Sequence, residues 1–214
     1  MDSVHASTWY PLNVPLLWQG TEEEALKAGT PVAELPAPWK VILLSDGSVT
    51  RHLQMMMGMK VEVECFEMRN IGEGDKETEK LPEATRHIER PLLQRQVLLR
   101  QPNESTGEYA TGTPLVYAAS WWNADMADNY LQDKEAPIWV SLMRDRTELY
   151  REIQVVSLGN SSFLQRTFSR PGPFWGRQYL FWHGGKPLTL IHEVFSSSLE
   201  AYLGPCPMPR MNLS

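Results

Sequence analysis

The chain has 214 residues, 42% apolar and 21% charged, with a formal charge of −6. That length can bury a sizeable core in one domain or two small ones. The acidic balance removes any electrostatic case for nucleic-acid binding, and no apolar run approaches the ~20 residues that cross a bilayer.

In chain order, residues 1–20 are rich in Pro and Trp and predict an irregular arm. Thr21-Glu22-Glu23-Glu24 is a capping box that opens a short helix, and Gly29 stops it. Pro31, Pro36 and Pro38 predict an extended link before the apolar run Trp39–Leu44. Ser45-Asp46-Gly47-Ser48 is a turn into a helix cap. Val49, Leu53, Met56 and Met57 then fall at helical spacing, and Gly58 ends that helix. The adjacent Met residues point different ways around a helix, which favours core packing over a soft-metal site. Lys60–Cys65 alternates as a half-exposed strand, and 70–82 is a solvated loop. Pro91–Arg100 and Pro114–Ala119 are strands joined by a polar hairpin connection. Residues 123–134 and 137–153 predict helices, with Pro137 at a helix start. Ser162–Ser169 and Phe174–Trp182 predict strands, His183-Gly184-Gly185-Lys186 a hairpin turn, and Pro187–Phe195 the last strand. The Pro-rich tail after Glu200 predicts a draped segment.

Strands in succession, with helices inserted rather than alternating, predict an α+β fold. The expected architecture is a single antiparallel sheet with flanking helices, packed on one side, and a pocket between the layers. The expected organisation is an arm over 1–38, a main domain over 39–200 and a tail over 201–214.

The chemistry-bearing motifs are few. There is no phosphate-cradling glycine loop, no dinucleotide fingerprint, no His pair at metal-ligand spacing and no Gly-x-Ser-x-Gly elbow. Cys65 and Cys206 are the only cysteines. They form neither a zinc spacing nor a disulfide framework, which points to a reducing compartment. The N-terminus Met1-Asp2-Ser3-Val4-His5 lacks the basic and apolar regions of a secretory signal, so the expected location is cytoplasmic. Two charged residues stand out, Arg95 in one apolar strand and Glu193 in another. A carboxylate among Leu190, Ile191, Val194 and Phe195 needs a cation, a proton or a ligand. Arg95 offers a planar fork suited to a carboxylate. A structural ion pair between the two, or two wet strand faces, accounts for the pattern equally well.

In order along the chain, Leu43-Leu44-Ser45-Asp46 and Ser48-Val49-Thr50, Arg95-Gln96-Val97-Leu98-Leu99, Pro137-Ile138, Trp175-Gly176-Arg177, and Gly185-Lys186-Pro187-Leu188 with Glu193-Val194-Phe195 resemble the chorismate lyase family. The resemblance covers roughly residues 39–197, and its most specific part runs from Trp175 to Phe195. It implies an internal ligand pocket under flaps, no metal and no organic cofactor. It also implies cleavage of chorismate to pyruvate and 4-hydroxybenzoate, a quinone precursor. By the resemblance, Arg95 holds the ring carboxylate and Glu193 meets the ring oxygen. The backbone N–H groups of Val49 and Ile138 complete the anion site. A second cation should meet the enolpyruvyl carboxylate, with Arg177 and Lys186 as candidates. The expected partners are therefore the small-molecule substrate and product, with no nucleic acid and no membrane. Trp139 replaces the glycine that tends to follow in the family, and His192 stands where a small polar residue is usual. The effector-binding domains of some bacterial transcription regulators share this fold. A non-catalytic binder of small aromatic carboxylates is therefore the competing reading.

Overall fold

The computed structural model describes residues 16–72, 81–103, 105–108, 112–131, 138 and 150–207. Among them, seven strands form one sheet: β1 (Leu16–Gly20), β2 (Glu62–Ile71), β3 (Leu92–Arg100), β4 (Pro114–Asn123), β5 (Tyr150–Gly159), β6 (Phe174–His183) and β7 (Lys186–Phe195). The strand order is β1-β5-β6-β7-β4-β3-β2, and every neighbouring pair is antiparallel. The described helices are α1 (Glu22–Ala25), α2 (Ala37–Leu44), α3 (Val49–Met57), α4 (Ala124–Tyr130), α5 (Ser162–Phe168) and α6 (Glu200–Leu203). None is long and apolar enough to cross a membrane.

Strand pleating sorts the sheet residues onto two faces. One face carries Arg95, Val97 and Leu99 of β3, Ala118 and Trp122 of β4, Tyr179 of β6 and Ile191 and Phe195 of β7. Its apolar members pack in one cluster with Trp39, Ile42 and Leu43 of α2 and Leu53 of α3. The α2 residues recur at i, i+3 and i+4, the spacing of a single helical stripe. The other face carries Leu98, Tyr117, Ala119, Trp121, Leu180, Leu190 and Val194 beneath Phe163, Leu164 and Phe168 of α5. Helices thus cover both faces rather than the single side expected.

The α3 helix runs as its caps dictate. Ser48 accepts from the Arg51 N–H, and Gly58 closes the helix at φ 67°, a left-handed conformation that glycine adopts without strain. The Thr21 capping box of α1 is formed, with both reciprocal bonds present. The β6–β7 turn at Gly184-Gly185 has positive φ at both glycines, as the hairpin signal requires.

Several expected elements differ. Residues 16–20, read as irregular, form edge strand β1 on β5, and the Trp18 ring meets Trp175 edge-on at 5.9 Å. The run Ser162–Ser169, read as a strand, is α5. Ser161 caps it by accepting from the Leu164 N–H at 3.2 Å, and its three large apolar residues plug the second core. Residues 150–153, read as the end of a helix, begin β5, and a register shift between Ile153 and Val155 breaks the strand's alternation. The link before Trp39 is not extended: it folds into turns, with the Ala33 N–H donating to the Thr30 carbonyl at 3.0 Å and the Leu35 N–H to the Val32 carbonyl at 3.1 Å, and Ala37 and Pro38 already lie in the first turn of α2. The expected helix over 123–134 is observed as α4, Ala124–Tyr130, capped by the Asn123 side chain accepting from the Met126 N–H, while 132–134 and all of 137–149 except Ile138 lie outside the described residues. Ile138 is helical and half-buried against the first core.

Candidate functional site

The site is built on the central strands. Arg177 of β6 lies directly across from Glu193 of β7, so alternation sends both side chains to one face. Arg177 is 0% exposed and Glu193 5% exposed. Arg177 Nε donates to Glu193 Oε2 at 2.7 Å, and the Tyr179 hydroxyl donates to Oε1 at 2.9 Å. Each carboxylate oxygen is therefore held by one protein donor. Arg177 Nη1 donates to the Ser45 carbonyl at 2.9 Å, which ties the turn before α3 to the cluster. Its Nη2 is buried and has no hydrogen-bond partner.

Burial opposes the Arg177 charge, and the adjacent Glu193 carboxylate overrides that cost and leaves its pKa raised. Burial, followed by the Glu193 charge, also raises the Tyr179 phenol, so it stays a hydrogen-bond donor at neutral pH. The Arg151 guanidinium of β5 stands 4.8 Å from the Tyr179 ring centroid and 4.5 Å from that of Phe181. Its Nε is another buried donor without a partner. His52 of α3 shares a 3.4 Å hydrogen bond with Ser45 Oγ. Burial, then the nearby Arg177 and Arg151 charges, hold it below the usual imidazole range. Gly47 leaves room for that ring, since a Cβ there would come within 2.3 Å of His52 Cε1.

The structure brings most of the sequence-singled residues together. Arg95 is 2% exposed and pairs in register with Ser120, which itself faces Ile191. Arg95 thus shares a face with Glu193, two strands away. Val49 begins α3 four residues after Ser45, and the N–H groups of a first helical turn lie outside the i→i−4 ladder. Ile138 packs on the same core; Trp139 lies outside the described residues. Lys186 is not brought in. It is the first residue of β7, exposed and paired with Glu89 at 3.2 Å. Glu193 lies seven positions further along the extended strand, about 23 Å at ~3.3 Å per residue. The ion-pair partner of Glu193 is Arg177, not the Arg95 first considered.

Sequence reasoning missed Tyr179, Arg151 and His52. Tyr179 was within reach, because it stands two residues from Arg177 and so shares its face. Arg151 was hidden by the helical reading of its segment.

Residues 43–203 match the chorismate pyruvate-lyase Rv2949c-like family. The uncharacterized protein ycf21 of Cyanophora paradoxa is 35% identical over 185 residues, covering 86% of this chain and 90% of that protein. The protein of the same designation in Porphyra purpurea is 30% identical over 171 residues, 78% of this chain and 86% of that one. Among solved structures, PhnF from Mycobacterium smegmatis shares the fold with a TM-score of 0.51 at 11% identity, over 72% of this chain and 66% of that one. On that match, which spans three quarters of its length, the chain belongs to the Rv2949c-like chorismate pyruvate-lyase family.

Proposed function

We propose that this protein is a chorismate pyruvate-lyase. The observation that carries the reading is a buried Glu193 held by Arg177 and Tyr179, on the sheet face that also presents Arg95, in a chain of this family. The substrate is a dianion, and this face supplies guanidinium groups for it. Arg95 takes the ring carboxylate, helped by the backbone N–H groups of Val49 and Ile138. Arg177 Nη2 and Arg151 Nε, two buried donors on the far side of Glu193, take the enolpyruvyl carboxylate. Lys186 has no part in this assignment.

The reaction removes a proton from the hydroxyl-bearing ring carbon and breaks the neighbouring C–O bond. Enolpyruvate leaves, gains a proton at carbon and becomes pyruvate, while the ring becomes 4-hydroxybenzoate. Aromatisation supplies the driving force. Both Glu193 oxygens already accept a protein hydrogen bond, so the lone pairs they keep are acceptors for the ring hydroxyl. Glu193 thereby fixes the ring for proton loss and C–O cleavage, a gain from orientation more than from new bonding. The enzyme works in the cytoplasm, where its two free cysteines remain thiols.

The test is incubation of the purified full chain with chorismate. Pyruvate and 4-hydroxybenzoate released in equal amounts support the reading. Tight binding of 4-hydroxybenzoate without pyruvate release assigns the protein to the effector-binding class instead.

A further inference from the structure

His192 lies one residue before Glu193, and strand alternation turns it to the opposite sheet face. It is 4% exposed, and neither ring nitrogen has a hydrogen-bond partner. Buried polar atoms are almost always paired, so two orphans on one ring call for an explanation. The ring lines a cleft of about 440 Å³ between the β5–β1 end of the sheet and the 3-10 turn Glu83–His87. Gln178 sits beside it in register, Gln154, Gln19 and Ser157 add neutral polar lining, and Glu83, Arg86 and His87 line the side formed by the turn. Leu16, Pro82 and Ala84 supply apolar wall.

We infer that this cleft is a second ligand site, taking a small uncharged ring with an amide or lactam edge. The volume suits one ring-sized ligand. The polar lining consists mainly of neutral groups that both donate and accept. Glutamine offers an amide's C=O and NH₂, and a neutral imidazole offers one N–H and one bare nitrogen. Burial pushes His192 down to about 4, so the ring is neutral at neutral pH. At the lip, Arg86 and Glu83 neutralise one another. An amide or lactam edge presents a donor beside an acceptor, the complement of a neutral imidazole flanked by a glutamine. The first site, on the other face, carries guanidinium groups and selects anions. The two sites therefore differ in the charge of what they hold, and the second does not depend on the lyase reading.

The test titrates the full-length protein with uracil, 2-pyridone and nicotinamide, with benzoate as the anionic control, following histidine ring 1H–15N correlations. At least one neutral probe is expected to move the His192 ring nitrogens at millimolar concentration and leave those of His52 in place. Gln178→Ala should weaken that binding about five-fold, the effect of one lost hydrogen bond. Ser157→Ala reports from the opposite wall if the first variant does not fold. The inference is overturned if no neutral probe moves His192 up to its solubility limit. It is equally overturned if benzoate moves the ring as far as the neutral probes do, or if both variants bind the responding probe as tightly as the parent.

Discussion

Glu193 has a hydrogen-bond donor on each oxygen, and Arg177 has a carboxylate and a backbone carbonyl to hold. Such a pair offsets the cost of burying two charges only while both members are present. That constraint separates the roles of the charged residues. Arg95→Ala should weaken 4-hydroxybenzoate binding about a hundred-fold, because it removes a charged fork from a poorly hydrated face. Glu193→Gln keeps the shape but leaves the buried Arg177 without its carboxylate, so it should cost about 3–5 kcal/mol of stability. Product affinity should stay within a few-fold, while turnover falls by about 10²-fold through lost orientation. Calorimetry and the pyruvate-release rate check the two effects. Near-normal turnover in Glu193→Gln would make Glu193 a structural group. His192 has its own signature. Its folded-state pKa is depressed from 6.5 to about 4 by burial, so the unfolded chain binds the proton more readily. Its contribution is complete above pH 6.5 and is lost as the pH falls through about 4, a change on the order of 3 kcal/mol. His192→Asn should flatten the stability-versus-pH curve across that window, and urea midpoints measured from pH 7 to 4 test it.

At the scale of elements, the β6–β7 hairpin sets the site. Its two-residue turn fixes the register, the register places Arg177 opposite Glu193, and alternation adds Tyr179 on the same face. Gly176 allows the strands to come together, because a Cβ there would lie 2.9 Å from the Glu193 carbonyl oxygen. Gly176→Ala should therefore cost about 1–3 kcal/mol and lower turnover by displacing Glu193. Thermal unfolding and the pyruvate assay read the two losses, and an alanine variant with parental stability and rate would contradict the argument. This hairpin was legible in the sequence because its signals are local: a Gly-Gly turn between two apolar runs. The α3 caps were legible for the same reason. Helix α5 was not, since Phe163, Leu164 and Phe168 over one short run fit a strand as well as a helix, and the second core decides between them. Strand β5 was hidden by its bulge at Ile153–Val155, which breaks the period-2 pattern. Arg151 disappeared from view with it. The partner of Glu193 was missed because the cross-strand register, rather than any motif, selects Arg177 over Arg95.

Over the whole molecule, the sheet divides two environments. One face gathers Arg95, Arg151 and Arg177 around a single described carboxylate, Glu193, beneath α2 and α3. The other holds a cleft whose sheet side is lined by uncharged amides and a neutral imidazole, facing the 3-10 turn. A dianionic substrate belongs on the first face, and Coulomb attraction grows as water is excluded there. The same arrangement makes binding sensitive to the position of each guanidinium, because the three reach the face from different strands. The position of the bound product therefore decides the assignment, and a crystal structure of the full chain with 4-hydroxybenzoate shows it. The product's carboxylate is expected against Arg95 and its phenol oxygen within hydrogen-bond distance of Glu193, on the face shared with Tyr179. Product bound on the His192 face, or a carboxylate held by Lys186, would contradict it.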